Sequence, residues 1–232
     1  KDIVSGDFYW FSERKGIRLI AAADCTGHGV PGAFMSMIGI SYLNEIINER
    51  KVVNPAKVLD QLRAYIISVL QQTGREGETK DGMDIALVAV DQKNRVVHYS
   101  GAFNSLYFCR TNTTIPFDKV GDDEILHTQN LLEIKGNKMP VGTSLRDEQP
   151  FTLHSISYNP GDSVYVATDG FIDQFGGPGE KKFMARRLRE LISGLAGQPS
   201  DRKSEAVDKA FDRWKGNLSQ TDDVLLIGID LD

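Results

Sequence analysis

The sequence predicts an α+β domain in which antiparallel sheets carry helices on their outer faces. Strand-like segments follow one another in runs instead of alternating with helices, and helical segments come in pairs. The 232 residues, 41% hydrophobic and 25% charged, are an ordinary balance for a globular chain with a substantial core. No repeat or low-complexity linker divides the chain, so residues 1–232 read as a single domain.

DFYWF (7–11) and IRLIAAA (17–23) are apolar stretches joined across SERKG, which predicts a hairpin. With Lys15-Gly16 as a two-residue turn, paired residue numbers sum to about 31 and Asp7 faces Asp24. Two helices come next. The first opens at Pro31 and carries Ala33, Met37, Ile40 and Ile47. The second has Asn54 as N-cap and Pro55 at its first position, with Val58, Leu59, Leu62, Ile66, Val69 and Leu70 at helical spacing. After the polar loop TGREGETKDG, strand-like segments run at 85–90, 95–100, 105–110, 124–129, 131–135, 151–158 and 162–169. Amphipathic helices at roughly 181–195 and 202–216 precede a last strand at 223–229.

Composition excludes some functions. A net charge of −5 argues against a nucleic-acid partner. Cys25 and Cys109 are far apart and form no CxxC, so neither a disulfide framework nor a zinc site is expected, and a reducing, cytoplasmic setting is. No apolar run of membrane-spanning length and no signal peptide are evident. Without a starting Met, the chain reads as a domain excised from a longer multidomain protein, a parent that membrane anchoring would also suit.

The stretch ADCTGHGVPGAFM (23–35) carries two competing signals. Gly27, Gly29 and Gly32 spell GxGxxG, a dinucleotide-binding turn when a parallel strand ending in an acid follows within about thirty residues. Here the helix leads through KVVNPAK into another helix, and Asp24 sets negative charge where a pyrophosphate should rest. A Walker-type loop is missing too, since GGPGEKKF (176–183) lacks G-K-[ST]. The acids support the other reading. Carboxylates at Asp7 and Asp24, with Cβ atoms roughly 4.5–5.5 Å apart across the hairpin, call for a cation between them. Asp169 closes SVYVA as T-D-G, and Asp222 opens the last strand in Q-T-D-D. In antiparallel sheets, strand starts lie beside neighbouring ends, so all four acids can share one rim. Such hard oxygen donors suit Mg²⁺ or Mn²⁺ rather than zinc. The plainer alternative is that each Asp merely caps a turn; four of them abutting apolar strands favour the site.

Six segments then carry a resemblance: VSGD (4–7), ADCTGHGVPGAFMS (23–36), DGMDIALVAVD (81–91), KMPVG (138–142), ATDGFID (167–173) and QTDDVLLIGI (220–229). In these the chain resembles the metal-dependent protein serine/threonine phosphatases of type 2C, in the bacterial branch of stage II sporulation protein E and the sigma-factor regulatory phosphatases. The pieces lie in the family's order over nearly the whole chain. The resemblance implies a four-layer α-β-β-α sandwich, two antiparallel β-sheets flanked by helix pairs, with two Mn²⁺ or Mg²⁺ ions at one rim. Asp24 would bridge both ions, Asp7 and the Cys25 carbonyl would bind one, and Asp169 and Asp222 the other, with Asp223 behind them. His28 carries two readings, proton donor to the leaving oxygen or hydrogen-bonded support of the glycine loop.

Departures from the family pattern are Ser5, where a second Gly often stands, and Trp10, where an acid often stands; substrate-side contacts near Trp10 are not carried over. The strand that usually precedes the metal loop is missing, which leaves a sheet edge bare or invites exchange between chains, hence a homodimer. His98, His127 and His154 read as half-exposed strand residues, and Asp81 and Asp84 as a capped turn rather than a third, weak metal site.

Two ions roughly 3.5–4 Å apart lower the pKa of a bridging water enough to supply hydroxide near neutral pH. In-line attack of that hydroxide on phosphoserine or phosphothreonine is the expected reaction, without a nucleophilic cysteine. By resemblance the substrate is a phosphorylated protein such as an anti-sigma antagonist or another small signalling domain, and an N-terminal sensor acts on the first helices. Lys181, Lys182, Arg186, Arg187 and Arg189 read as a solvated helix face before a docking surface for an acidic partner. The alternatives kept open are a catalytically weak interaction module of the same fold, and a metal-dependent phosphodiesterase or nuclease.

Overall fold

The computed structural model describes residues 5–27, 29–73, 80–113, 123–144 and 149–232. Strands β1 (Phe8–Arg14) and β2 (Ile17–Cys25) form the expected hairpin. Lys15 and Gly16, at φ 50° and 75°, supply the pair of left-handed residues that a type I′ turn requires. Phe8 pairs with Ala23 and Arg14 with Ile17, the register that puts Asp7, one residue before the strand, across from Asp24.

Helix α1 (Gly29–Leu43) runs on into a wider π-type turn, Asn44–Glu49, and α2 (Pro55–Val69) follows. Asn54 caps α2 by accepting from the Lys57 N–H, with Pro55 just inside, as its sequence dictates. Then come β3 (Gly82–Asp91), β4 (Val96–Ala102), β5 (Leu106–Cys109), β6 (Glu124–Thr128), β7 (Leu131–Ile134), β8 (Val141–Gly142), β9 (His154–Ser157) and β10 (Ser163–Ala167). A one-turn helix α3 (Gly170–Asp173), a small hairpin of β11 (Phe175–Gly176) and β12 (Lys181–Lys182), helices α4 (Met184–Gly194) and α5 (Ser200–Lys215), and β13 (Leu226–Asp230) complete the chain.

The strands form two antiparallel sheets, ordered β1-β2-β3-β4-β9, with β8 also on β3, and β13-β10-β5-β7-β6. Three apolar cores separate four layers. Leu19, Ala21, Ile85 and Leu87 face α1 and α2; Ile20, Val88, Phe108 and Val164 meet between the sheets; Tyr107, Tyr165 and Phe171 lie under α4 and α5. The central strands β2 and β3 are buried on both faces, which is why they read as unbroken apolar runs. Each fully buried Leu, Ile, Val or Phe contributes roughly 1.5–3 kcal/mol.

Several expectations need correction. Helix α1 begins at Gly29 rather than Pro31, and its buried stripe is Gly32, Met35, Ser36, Gly39 and Leu43, while Met37 is 66% exposed. Small residues face inward because the helix lies close on the first sheet: a Cβ on Gly39 would stand 2.9 Å from Met83 Cε and 3.0 Å from Phe8 Cζ. The 21-residue helical run Gly29–Glu49 is, against the sequence reading, long and apolar enough to cross a membrane by length and composition, yet it packs over the first sheet. Lys181 and Lys182 form a strand, so α4 begins only at Met184. The basic cluster is largely engaged: Lys182 pairs with Asp173, Arg186 with Glu190 and Arg189 with Glu133, while Arg187 stacks over Trp214. Trp10 is a core residue, its indole N–H donating to Asn44 Oδ1 at 3.1 Å and tying β1 to the π-type turn.

Candidate metal centre

Four segments converge at one rim of the sandwich: the turn before β1, the end of β2 with its glycine loop, the β10–α3 junction, and the loop before β13. Glycines permit the approach. A Cβ on Gly6 would lie 2.9 Å from the Gly27 carbonyl oxygen and 3.0 Å from that of Cys25; one on Gly32 would lie 2.5 Å from the Gly27 oxygen. The GxGxxG pattern therefore serves to fold this loop against the Asp7 turn. Gly170 in T-D-G has the same role, since a Cβ there would sit 1.8 Å from the Asp223 carbonyl oxygen.

Hydrogen bonds lock the segments together. Thr168 Oγ1 donates to Asp7 Oδ2 at 2.6 Å and accepts from the Leu225 N–H at 3.1 Å. Ser5 Oγ donates to Asp223 Oδ2 at 2.8 Å and accepts from the Asp7 N–H at 2.9 Å, which gives the departure from Gly at this position a structural use. Ser36 Oγ reaches the Gly6 carbonyl at 2.7 Å.

The carboxylates perturb one another. Asp24 is pushed up to about 8, first by burial and then by the charges of Asp7, Asp169 and Asp222. Asp7 is raised by burial against the bonds it accepts, and its carboxyl lies within hydrogen-bonding reach of Asp24. Asp169 is raised by burial and by Asp222, with Lys182 partly offsetting. It stands at the N-terminus of α3, but its side chain caps nothing, which counts against the turn-capping alternative. Asp222 lies in the loop four residues ahead of β13 rather than at its start, and its carboxylate accepts from the Asp223 N–H. Among the described residues none of these four acids has an ion-pair partner.

The sequence reading weighs Asp84 as part of a third, weak metal site and prefers a capped turn. It is no turn cap: it stands in β3 directly across from Asp24, raised to about 6 by burial and by Asp169. A lone acid inside the apolar strand MDIALVAV was its only signal. A cleft of about 320 Å³ is lined by Asp24, Cys25, Asp84 and Asp222. The Cys25 thiol is pushed up to about 12 by burial, which leaves only the carbonyl as a donor. His28 lies outside the described residues.

Hard oxygen donors crowded without a cation fit Mg²⁺ or Mn²⁺ in chemistry. Among the described residues no group of three or more His, Cys, Asp and Glu side chains is drawn together closely enough to hold a metal ion.

A family model for stage II sporulation protein E (SpoIIE) matches residues 15–232. The chain belongs to the SpoIIE family. No curated protein matches it. Among solved structures, the PP2C domain of SiaA from Pseudomonas aeruginosa is 28% identical, with a TM-score of 0.83 over 100% of this chain and 82% of that one. The PP2C phosphatase domain of SpoIIE from Bacillus subtilis, with a fragment of its regulatory domain, is 15% identical, with a TM-score of 0.71 over 100% of this chain and 58% of that one. RsbX in complex with magnesium is 11% identical, with a TM-score of 0.62 over 99% of this chain and 88% of that one. This SpoIIE-family chain therefore has the PP2C-type phosphatase fold, with two main antiparallel sheets and flanking helices.

Proposed function

We propose that the chain hydrolyses phosphoserine or phosphothreonine on a protein, with two Mn²⁺ or Mg²⁺ ions held at the acidic rim. One observation carries the reading: Asp7, Asp24 and Asp169 come from separate segments and are each raised by burial and by neighbouring carboxylates, Asp222 among them, and among the described residues no cationic side chain is paired to any of the four. Asp24 would bridge the ions, Asp7 and the Cys25 carbonyl would hold one, and Asp169 and Asp222 the other. Bound there, the ions would supply a water acidified toward neutral pH and neutralise charge on the phosphoryl oxygens.

The chain's own residues do the rest. Thr168 fixes the Asp7 carboxylate, and Ser5 ties its turn to Asp223. Cysteine chemistry is not called on, because burial keeps the Cys25 and Cys109 thiols protonated, near 12 and 11. His28 is the candidate donor to the leaving oxygen. The substrate class, a small phosphorylated signalling domain, and an N-terminal sensor are carried over from the family resemblance; similar solved structures hold RsbU and RsbW domains in one chain and a SpoIIE phosphatase domain with a regulatory fragment, which supports that reading.

The deciding experiment is Mn²⁺-dependent hydrolysis of a phosphoserine peptide, reversed by EDTA. Turnover supports the reading. Peptide binding without turnover, metal present, would leave the interaction-module alternative standing instead.

A further inference from the structure

Asp222 lies in residues 216–225, a loop between α5 and β13 that belongs to no helix or strand, and its side chain is exposed. Its place at the rim therefore has to be set from outside the loop. Among the described residues, both hydrogen bonds that reach the backbone of residues 219–222 from elsewhere come from one side chain, Gln174. Its Nε2 donates to the Ser219 carbonyl at 3.1 Å, and its Oε1 accepts from the Thr221 N–H, one residue ahead of Asp222, at 3.2 Å. Nε2 also donates to the Phe175 carbonyl at 2.9 Å, so both amide protons are used.

Gln174 is fully buried. An amide costs free energy to bury and returns it only through such bonds, so folding alone gives an apolar side chain the advantage at this position. The residue is also braced from behind. Its carbonyl accepts from the Phe183 N–H at 2.9 Å and from the Trp214 indole N–H at 3.0 Å. Gly176 and Gly177 lie so close on Trp214 that a Cβ would stand 1.8 Å from its carbonyl oxygen or 2.5 Å from its ring. Gln174 directly follows α3, the single turn that begins beside Asp169. One short element thus carries Asp169 at its start and grips the Asp222 loop at its end.

We infer that Gln174 is a positioning residue for the ion proposed to lie between Asp169 and Asp222. By clamping Ser219 and Thr221 to the end of α3, it sets the spacing of those two carboxylates and leaves the ion of Asp7 and the Cys25 carbonyl untouched. The inference rests on the metal-dependent phosphatase reading and adds to it the residue that builds one half of the site.

The test is calorimetric titration of Mn²⁺ into the metal-free protein, with Tm measured on the same samples. The parent is expected to bind two ions. In Gln174→Met, which keeps the volume and removes all three bonds, one ion should bind at least about tenfold more weakly and the other as in the parent. Gln174→Glu keeps the acceptor for Thr221 and should lose less of that affinity; it also serves if the methionine variant does not fold. Added to Asp222→Asn, Gln174→Met should weaken Mn²⁺ no further, because both changes act on one ion. Trp214→Phe removes the indole bond behind Gln174 but none to the loop; it should lower Tm and leave both affinities unchanged. Equal weakening of the two ions, unchanged binding in the Gln174 variants, an additive loss in the double variant, or the same selective loss in Trp214→Phe overturns the inference. Two ions bound by a parent that hydrolyses no phosphoserine peptide overturns the phosphatase reading alone, whereas a parent that binds no Mn²⁺ overturns both.

Discussion

Glu133 and Asp24 are both carboxylates set in sheet strands, under opposite electrostatic conditions. Glu133 on β7 is only 1% exposed, yet bonds from Lys135 and His127 overcome its burial and hold it below the ordinary glutamate value. Asp24 on β2 is less buried and is driven up to about 8, since its neighbours after burial are more carboxylates. Burial alone therefore does not single out a candidate site acid in this protein. A missing counter-charge does.

The largest effect should come from removing the centre of the uncompensated group. Asp24→Asn is expected to take Mn²⁺-dependent hydrolysis below detection, while the EDTA-treated variant melts no lower than the parent at neutral pH, because without metal Asp24, raised to about 8, is already mostly protonated and a neutral amide of the same shape takes its place. Undiminished turnover, or a clear fall in melting temperature, would break the contrast. The compensated acid should behave in the reverse way. Glu133→Gln strands Lys135, Arg189 and His127 partly out of water and should cost about 2 kcal/mol, seen as a fall of roughly 4–8 °C in Tm by calorimetry.

A titration sharpens the same comparison. Asp24 and Asp84 bind protons more tightly folded, near 8 and 6, than at the ordinary 3.8. The folded, metal-free protein thus holds the extra protons, and its stability falls as pH rises from about 4 through 8. Glu133 has the opposite sign, its contribution being lost only as pH drops through its lowered value. Urea midpoints in EDTA should decline between pH 5 and 8, and saturating Mn²⁺ should remove that decline. Smallest is Ser5→Ala. Losing the hydrogen bonds to Asp223 and from the Asp7 N–H should cost about 1 kcal/mol and weaken Mn²⁺ binding severalfold by calorimetric titration.

Much of the site was legible before any coordinates. Asp7 and Asp24 followed from a two-residue turn, and the T-D-G and D-D acids from their places beside apolar runs. Asp84 was not, because β2 and β3 are joined through two helices and no local register links residues 24 and 84. Lys181, Arg186 and Arg187 are exposed, as a solvated face requires, but the partners of Arg187 and Arg189, Trp214 and Glu133, were hidden for the same reason: they lie far away in sequence.

By itself the sequence determined the features that close within a few residues: the Lys15-Gly16 turn and its register, the Asn54-Pro55 helix start, and the apolar runs that require burial on both faces. Backbone sterics and neighbouring hydrogen bonds settle these without reference to the rest of the chain. Only the tertiary structure decided which face of α1 turns inward, that Trp10 anchors a turn, that Asp84 joins the rim, and that Gln174 grips the loop of Asp222. Those outcomes depend on close approach between distant segments, where a single Cβ or an unpaired charge tips the balance and no local pattern records it.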